Sequence, residues 1–349
     1  MPHNTPQDVH VNRALTNFSL AYRQPLENYV AFQFAPVIPV AKQSDLYFTF
    51  NKGDLLRNVA EVRAPGSESA GSDVKITTAG PYFCKVVAIH HDLDMDLVAN
   101  ADDPLNPKRA ATRNVTQWLL TRAELDFATA MFKASVWGTD WTGTSGTTAY
   151  ASSVFKYWSD ADADPVADVE AAKSAVQAQT GFEANTMVIP RDVFSTLRNH
   201  PKLLDRIKYT QRAVINELGG SARKKTDADI LADLFDIDRV IVGRAVYNTA
   251  KENATDSISR ILSNGCLIAY VNPAPAIEMP SAAYTFVWND LFGVAMNEEG
   301  LTTPAGMGMR MLDYPLVWKK AHRVEGEAPY DIKPISTDCA IFLDKVLTA

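Results

Sequence analysis

The chain has 349 residues, of which 46% are hydrophobic and 21% are charged, and its formal net charge at pH 7 is −7. This length allows two domains or one elaborate domain with a sizeable core, and an acidic chain gains no general attraction to DNA from counterion release. The three cysteines lie far apart without a C-x-x-C pair, which argues against a zinc ribbon and a disulfide framework; they are Cys84, Cys266 and Cys339.

Residues 1–28 are polar and show no sustained periodicity, which is typical of an extended arm. They lack the apolar core of a signal peptide, so we expect none. No stretch of the chain approaches 18 uninterrupted apolar residues, so we also expect no membrane span and no membrane partner.

Residues 29–85 predict an extended β-loop region. "DLYFTFN" (45–51) has the β-branched and aromatic character of a strand, and "DVKITTAGPYFCKVVAIHH" (73–91) resumes it. Between them lies "RAPGSESAGSD" (63–73), rich in Gly, Ser and Pro. Two extended runs around such a tip predict a long hairpin-like loop that projects from the body.

The stretch "AIHHDLDMDLVAN" (88–100) is dense in possible metal ligands. Strand alternation would place Ile89, His91, Leu93, Met95 and Leu97 on one face and His90, Asp92, Asp94 and Asp96 on the other. A metal-dependent hydrolase could use such a cluster. However, carboxylates in a flat row cannot surround a cation, so a half-buried strand with an acidic edge is the favoured interpretation.

A long helix is predicted over 113–137 ("RNVTQWLLTRAELDFATAMFKASVW"), within a domain spanning 86–158. The segment contains no Gly or Pro, and its apolar residues recur at spacings of three and four. About 25 residues at a rise of 1.5 Å make a rod of roughly 37 Å, which is long for a globular helix.

Residues 159–275 predict an α/β domain. Asp164 as N-cap, Pro165 at the first helical position and Gly181 beyond the end delimit one helix. A buried strand follows at 185–190, and two short helices are expected to meet at Pro201. "DADILADLFDID" predicts another helix, and "RVIVG" and "CLIAYV" predict strands. Residues 276–349 return to strands, so the fold class is α+β.

No catalytic constellation is found. The chain has no G-x-x-x-x-G-K-[ST], G-x-G-x-x-G, H-E-x-x-H or G-x-S-x-G motif. Its acidic run at 160–171 departs from a calcium loop at Pro165 and Ala171, where that loop needs Gly and Glu. We therefore predict no catalytic residue, no cofactor and no metal ligand, and hence a structural role.

Several stretches in this order resemble the major capsid proteins of tailed double-stranded-DNA bacteriophages, which share the Hong Kong 97-type fold. They are "RAPGSES" (63–69), "NADDPLNPKRAATRNVTQWLLTRAELDFATAMF" (100–132) and "FEANTMVIPRDVFSTLRNHPKLLDRIKYTQ" (182–211). The resemblance runs with gaps from about residue 25 to the C-terminus, and the order of the segments carries it.

The resemblance implies a role for each region. Residues 1–28 would be the N-terminal arm, 29–85 would hold the extended loop that reaches over a neighbouring subunit, and 86–158 would be the peripheral domain with helix 113–137 as its spine. Residues 159–275 would be the axial domain, and 276–349 would return to the peripheral sheet. Candidate inter-subunit contacts are Arg63, Glu68, Asp73, Asp92 and Asp94.

The resemblance further implies an icosahedral shell of hexamers and pentamers of this chain around a phage DNA genome. A separate scaffolding protein, a portal, a decoration protein and non-specifically contacted DNA are its expected partners. The expected location is the virion, after assembly in the host bacterial cytoplasm. The alternatives are a metal-dependent hydrolase that uses His90–Asp96 and a different structural protein of a phage.

Overall fold

The computed structural model describes residues 24–50, 52–78, 80–101, 106–206, 227–274, 279–289 and 308–348, and has an α+β fold. Residues 1–23, most of the predicted arm, lie outside these ranges. The α-helices are α1 (Ala31–Phe34), α2 (Lys52–Leu55), α3 (Met95–Ala99), α4 (Pro107–Ala130), α5 (Pro165–Thr180), α6 (Arg191–Arg198) and α7 (Asp227–Phe235). Residues 201–206 are also helical. No helix in the described ranges combines the length and apolarity needed to cross a bilayer.

Seventeen strands complete the described part of the chain. The first nine are β1 (Val37–Val40), β2 (Ser44–Asp45), β3 (Phe48–Phe50), β4 (Ile76–Thr78), β5 (Tyr82–Phe83), β6 (Lys85–Asp94), β7 (Thr139–Thr144), β8 (Val154–Lys156) and β9 (Thr186–Pro190). The others are β10 (Arg239–Gly243), β11 (Val246–Asn248), β12 (Ile258–Arg260), β13 (Gly265–Ala269), β14 (Ala283–Trp288), β15 (Arg310–Leu316), β16 (Ala321–Pro334) and β17 (Ala340–Asp344). Short 3₁₀ turns lie at Leu26–Asn28, Tyr150–Ser152, Val317–Lys319 and Thr337–Cys339.

The first large sheet has six strands in the order β10-β9-β13-β17-β7-β8. Its strands β9 and β13 are buried along their whole length, which explains why their sequences are continuous apolar runs. Apolar side chains of α5, α6 and α7 pack with this sheet in one core cluster. The sheet joins strands from both sides of 159–275, because β7, β8 and β17 lie outside that range.

The second large sheet is built around the 14-residue strand β16. Strands β14 and β15 pair with successive halves of β16, β6 pairs along its other edge, and β1 extends the sheet beside β14. Helix α4 lies across β16 and β6. A Cβ at Gly326 would come within 2.4 Å of Val115 Cγ1, so the helix approaches the strand closely only because this position has no side chain.

The long helix begins at Pro107 and ends at Ala130, so the predicted bounds, 113–137, are wrong at both ends. At its start, Asn106 caps the helix by accepting from Arg109 N at 3.1 Å, with Pro107 in the first turn. At its end, the Trp137 indole donates to Met131 O at 2.9 Å across an irregular turn. Residues 107–112, which the predicted bounds left out, therefore belong to the capped start of the helix.

Other local predictions are confirmed. Asp164 caps α5 by accepting from Ala167 N at 3.3 Å, and Gly181 ends it with a φ of 79°. The N-cap and the C-terminal glycine both interact with backbone groups only a few residues away, so the local sequence is enough to predict them. Helix α6 ends at Arg198 and the helical residues 201–206 begin at Pro201, so two helices meet there as predicted. Residues 207–211 lie outside the described ranges.

A buried carboxylate connects α4 to the segment before β1. Glu124 Oε2 accepts from Val30 N at 2.8 Å and Ala31 N at 2.9 Å, at the start of α1. Burial raises the pKa of Glu124 to about 7, although the two backbone hydrogen bonds act in the opposite direction. At the other end of this segment, Gln24 Nε2 donates to Val246 O at 2.6 Å. Residues 24–31 thus link the spine helix to the β11 region.

Candidate inter-subunit surface

The acidic stretch forms the outer strand β6 and the short helix α3. Its alternation holds along β6, where Leu93 faces α4 and is buried and Asp94 is exposed. The predicted alternation through Met95 and Asp96 is wrong, because both belong to α3. The ladder ends here since Asp94 pairs with Ala321, the first residue of β16, and Met95 N donates to Lys320 O at 2.9 Å in the preceding turn.

The two histidines lie on opposite faces of β6. His91 faces α4 and stacks on Trp118, with ring centroids 5.9 Å apart and planes 9° apart. His90 is exposed on the other face. Within the described ranges, no three His, Cys, Asp or Glu side chains are grouped closely enough to hold a metal ion. The residues predicted as a possible cluster therefore do not converge in space.

Asp92 is paired within its own chain. Its carboxylate accepts from Arg323 Nε at 2.6 Å and Nη2 at 2.8 Å, and Lys319 Nζ lies 3.4 Å away. These hydrogen bonds, chiefly from the guanidinium, lower the pKa of Asp92 to about 2. Asp92 thereby fixes the turn between β15 and β16 to β6, and its predicted contact with another subunit stays a prediction.

The extended loop is built as two short antiparallel ladders, β2 with β5 and β3 with β4, with residues 56–75 beyond them. Every one of residues 56–75 is exposed, and Val62 is fully exposed at 102%. The predicted contact residues Arg63, Glu68 and Asp73 all lie on this exposed segment. The described part of the chain therefore gives this loop no core of its own.

A second exposed apolar site was missed by the sequence reasoning. The turn that joins β15 to β16 carries Val317, 80% exposed, and Trp318, 76% exposed. Lys319 and Lys320 follow, and the Lys319 ammonium lies 5.0 Å from the centre of the Trp318 ring. The sequence signal is "PLVWKKAH", in which a Trp and two lysines interrupt a strand-like pattern. The exposure of the Trp could not be predicted from it, because that exposure depends on the hairpin that surrounds the turn.

The three cysteines are buried and carry free thiols. Burial raises the pKa of the Cys84 thiol to about 11 and raises that of Cys266 as well. Thiols held in this protonated form are poor nucleophiles and poor metal ligands. They serve as small apolar core residues.

The amino-acid sequence matches a known protein family and a known phage protein. Residues 145–251 match the family model described as phage major capsid protein E. The chain is 24% identical over 265 residues to a protein named major capsid protein from Burkholderia phage BcepMu, covering 75% of this chain and 76% of that protein.

Solved structures share the fold over nearly the whole chain. A phage-related protein from Bordetella bronchiseptica RB50 superposes with a TM-score of 0.64 at 22% identity, covering 94% of each chain. The capsid of cyanophage P-SCSP1u gives 0.52 at 13% identity, covering 99% of this chain and 96% of that one. The mature capsid of bacteriophage PhiM1 gives 0.50 at 12% identity, covering 98% of each. The chain has the Hong Kong 97-type capsid fold, and its resemblance to the major capsid proteins of tailed phages is confirmed.

Proposed function

We propose that this chain is a major capsid protein, a structural protein and not an enzyme, that assembles into the icosahedral shell around a phage double-stranded-DNA genome. The observation that carries the proposal is an extended loop that cannot cover its own apolar side chains, in a chain with a capsid fold. Leu55 and Leu56, at its base, are 60% and 64% exposed. An isolated soluble subunit gains nothing from such a loop, whereas a neighbouring copy in a shell would bury it.

The finer organisation of the particle is part of the same proposal. The chain forms hexamers and pentamers, and a separate scaffolding protein, a portal and a decoration protein join it. Packaged DNA is contacted without sequence specificity, which suits an acidic chain that must contain DNA without gripping it. The protein assembles in the host cytoplasm and ends in the virion.

The loop residues and the acidic edge supply the proposed contacts between subunits. Arg63, Glu68 and Asp73 place both charge signs on an exposed segment, so a neighbour can be recognised by complementary charges. Asp94 is exposed at the end of β6 and belongs to the same set. Asp92 contributes to the proposed contact indirectly, because its hydrogen bonds with Arg323 position the turn between β15 and β16.

The alternative functions have less support. A metal-dependent hydrolase that uses His90–Asp96 would need at least three of these side chains to converge on one ion, whereas no such group exists among the described residues and Asp92 binds Arg323. A different structural protein of a phage has no observation in its favour here, because the matching family model is named for a phage major capsid protein and the matching Burkholderia phage protein is named a major capsid protein.

The direct test is assembly of the purified chain, alone and with its scaffolding protein, followed by electron microscopy and elemental analysis. We expect closed shells and no stoichiometric metal. A chain that stays monomeric with the scaffolding protein present would contradict the proposed function. One tightly held ion per chain, lost in Asp92→Ala together with Asp94→Ala, would favour the hydrolase instead.

A further inference from the structure

The apolar tip of the β15–β16 hairpin has no cover within the described part of the chain. Val317 and Trp318 form its outermost 3₁₀ turn and are 80% and 76% exposed. Tryptophan is among the residues whose burial contributes most to protein interfaces, and here it forms a contiguous exposed apolar patch with Val317, which is the kind of surface that a partner covers.

The backbone of the tip is tied to β6 and to the start of α3. Asp92 on β6 binds Lys319 within the turn and Arg323 on β16 just after it. Lys320 has a φ of 47°, and its carbonyl accepts from Met95 N. Because these contacts fix the turn before any partner arrives, little conformational entropy remains to be lost on binding.

An exposed acidic pair lies directly beside this tip. Asp94 is the register partner of Ala321, one residue after the turn, and Asp96 follows in α3. Both aspartates are exposed, and Asp94 does not cap α3. Within the described residues, neither carboxylate has an ion-pair partner, and neither does the Lys320 ammonium.

We propose that the tip formed by Val317, Trp318 and Lys320 docks against Asp94 and Asp96 of a second copy of this chain. Charge complementarity identifies the partner as a second copy of this chain. Each copy carries an apolar, cationic tip and an anionic edge side by side at the same end of one sheet, so it offers both halves of the contact. When each copy gives its tip to the next and receives a tip from the previous one, the contact is heterologous and closes into a ring about a symmetry axis. This inference rests on the proposed function, since a shell supplies the neighbouring copies.

Substitutions at the tip and at the acidic edge test the contact through assembly. Trp318→Glu should lower the yield of shells about tenfold or more, because it puts a carboxylate at the centre of the interface and opposite two others. Its unassembled subunit should unfold at the wild-type temperature, since the side chain is exposed. Ile258→Glu, at a residue that is 70% exposed on β12, is the matched control and should assemble normally.

Charge reversal provides a rescue. Asp94→Lys with Asp96→Lys should impair shells, and adding Lys320→Asp should restore part of the yield, because both sides of the contact are then reversed. Aspartate suits position 320, where the backbone is left-handed. Failure of this rescue in a chain that is still folded would count against direct pairing.

Cross-linking identifies the partner as a second copy. One batch carries Val317→Cys and another Asp96→Cys, and the native cysteines are buried and do not compete. Assembled from an equal mixture, the two variants should form a dimer with a short bismaleimide, whereas either alone should not. Normal shells from Trp318→Glu without this cross-link would overturn the contact and leave the proposed function standing. A cross-link in small oligomers that never form shells would support the contact and overturn the proposed function.

Discussion

At the residue scale, Asp92 shows how one side chain determines the shape of a surface. It lies on the outer strand of the sheet, yet it accepts two hydrogen bonds from Arg323 on the neighbouring strand and lies beside Lys319 in the turn. A bidentate carboxylate–guanidinium pair has a defined geometry as well as a favourable energy. Asp92 therefore orients the turn that carries Trp318.

Asp92→Asn should lower the free energy of unfolding at neutral pH by on the order of 1 kcal/mol, because the pair is partly exposed. The pKa of Asp92 falls from its ordinary value of 3.8 to about 2 in the fold, so its contribution is fully present above the ordinary value and is lost as the pH falls towards 2. Thermal unfolding of both proteins between pH 7 and pH 2 should show the difference shrinking with acid.

Asp96→Asn is the matched control for this substitution. Asp96 is exposed in α3 and has no ion-pair partner in the described part of the chain, so its substitution should leave subunit stability unchanged at every pH. Equal destabilisation by both substitutions would mean that general charge, and not the pair with Arg323, explains the effect.

The role of a residue could be predicted where its hydrogen-bond partner is close in sequence, and could not be predicted where the partner is distant. Asp164 caps a helix by binding an amide three residues away, so the sequence alone identifies it. Asp92 and Arg323 are separated by 231 positions, and only the pairing of β6 with β16 brings them together. The exposure of Trp318 likewise depends on a hairpin that the sequence does not delimit.

At the scale of elements, the packing of α4 on β16 depends on one glycine. A Cβ at Gly326 would lie 2.4 Å from Val115 Cγ1 and 2.8 Å from Leu119 Cδ1, both buried on the helix. Gly326→Ala should therefore destabilise the subunit by about 1–3 kcal/mol, as overpacking does in a filled core. The midpoint of urea unfolding measures the loss.

A second substitution separates overpacking from an effect on the strand backbone. Val115→Ala removes the nearest methyl groups, so in the double variant Gly326→Ala costs less than it does alone, and the coupling is measured by a double-mutant cycle. Gly146→Ala is a control, because its nearest atom would be 3.7 Å away. Additive effects of Gly326→Ala and Val115→Ala would show that Val115 is not the side chain that a Cβ at position 326 meets.

The element order was largely predictable, whereas sheet membership was not. Continuous apolar runs identified β9, β10 and β13, because strands buried on both faces leave that signature. Nothing local indicates that β17, at the end of the chain, pairs with β13 and β7. The periodicity predicted the spine helix, but the predicted start at 113 left out residues 107–112, because Pro107 at the first helical position is not part of the apolar repeat.

At the scale of the whole molecule, the loop at 56–75 and the hairpin tip at Val317 and Trp318 both lie outside the cores of the described residues. Neither contributes apolar burial to the described subunit. A chain that keeps such surfaces exposed benefits from them only when other copies cover them, so subunit stability and assembly should respond to different substitutions.

Deletion of residues 66–71 tests this separation. The segment is exposed throughout, and its described backbone contact is one local turn, Ser67 N to Ala64 O at 3.1 Å. The subunit's thermal unfolding should therefore stay nearly unchanged, while shells should form poorly or dissociate more readily. Glu68→Ser, which keeps the loop length and removes only the charge, is the matched control and should impair shells less.

Hydrogen exchange shows whether the loop becomes ordered in the particle. Amides of residues 63–73 should exchange quickly in the unassembled chain, because they face solvent and few are hydrogen-bonded, and slowly after assembly, when a neighbour covers them. Ordering the loop costs conformational entropy, which the contact must offset. Equal exchange in both states, together with normal shells from the deletion, would remove the loop from every interface. The proposed contact of the hairpin tip with a second copy does not depend on this result.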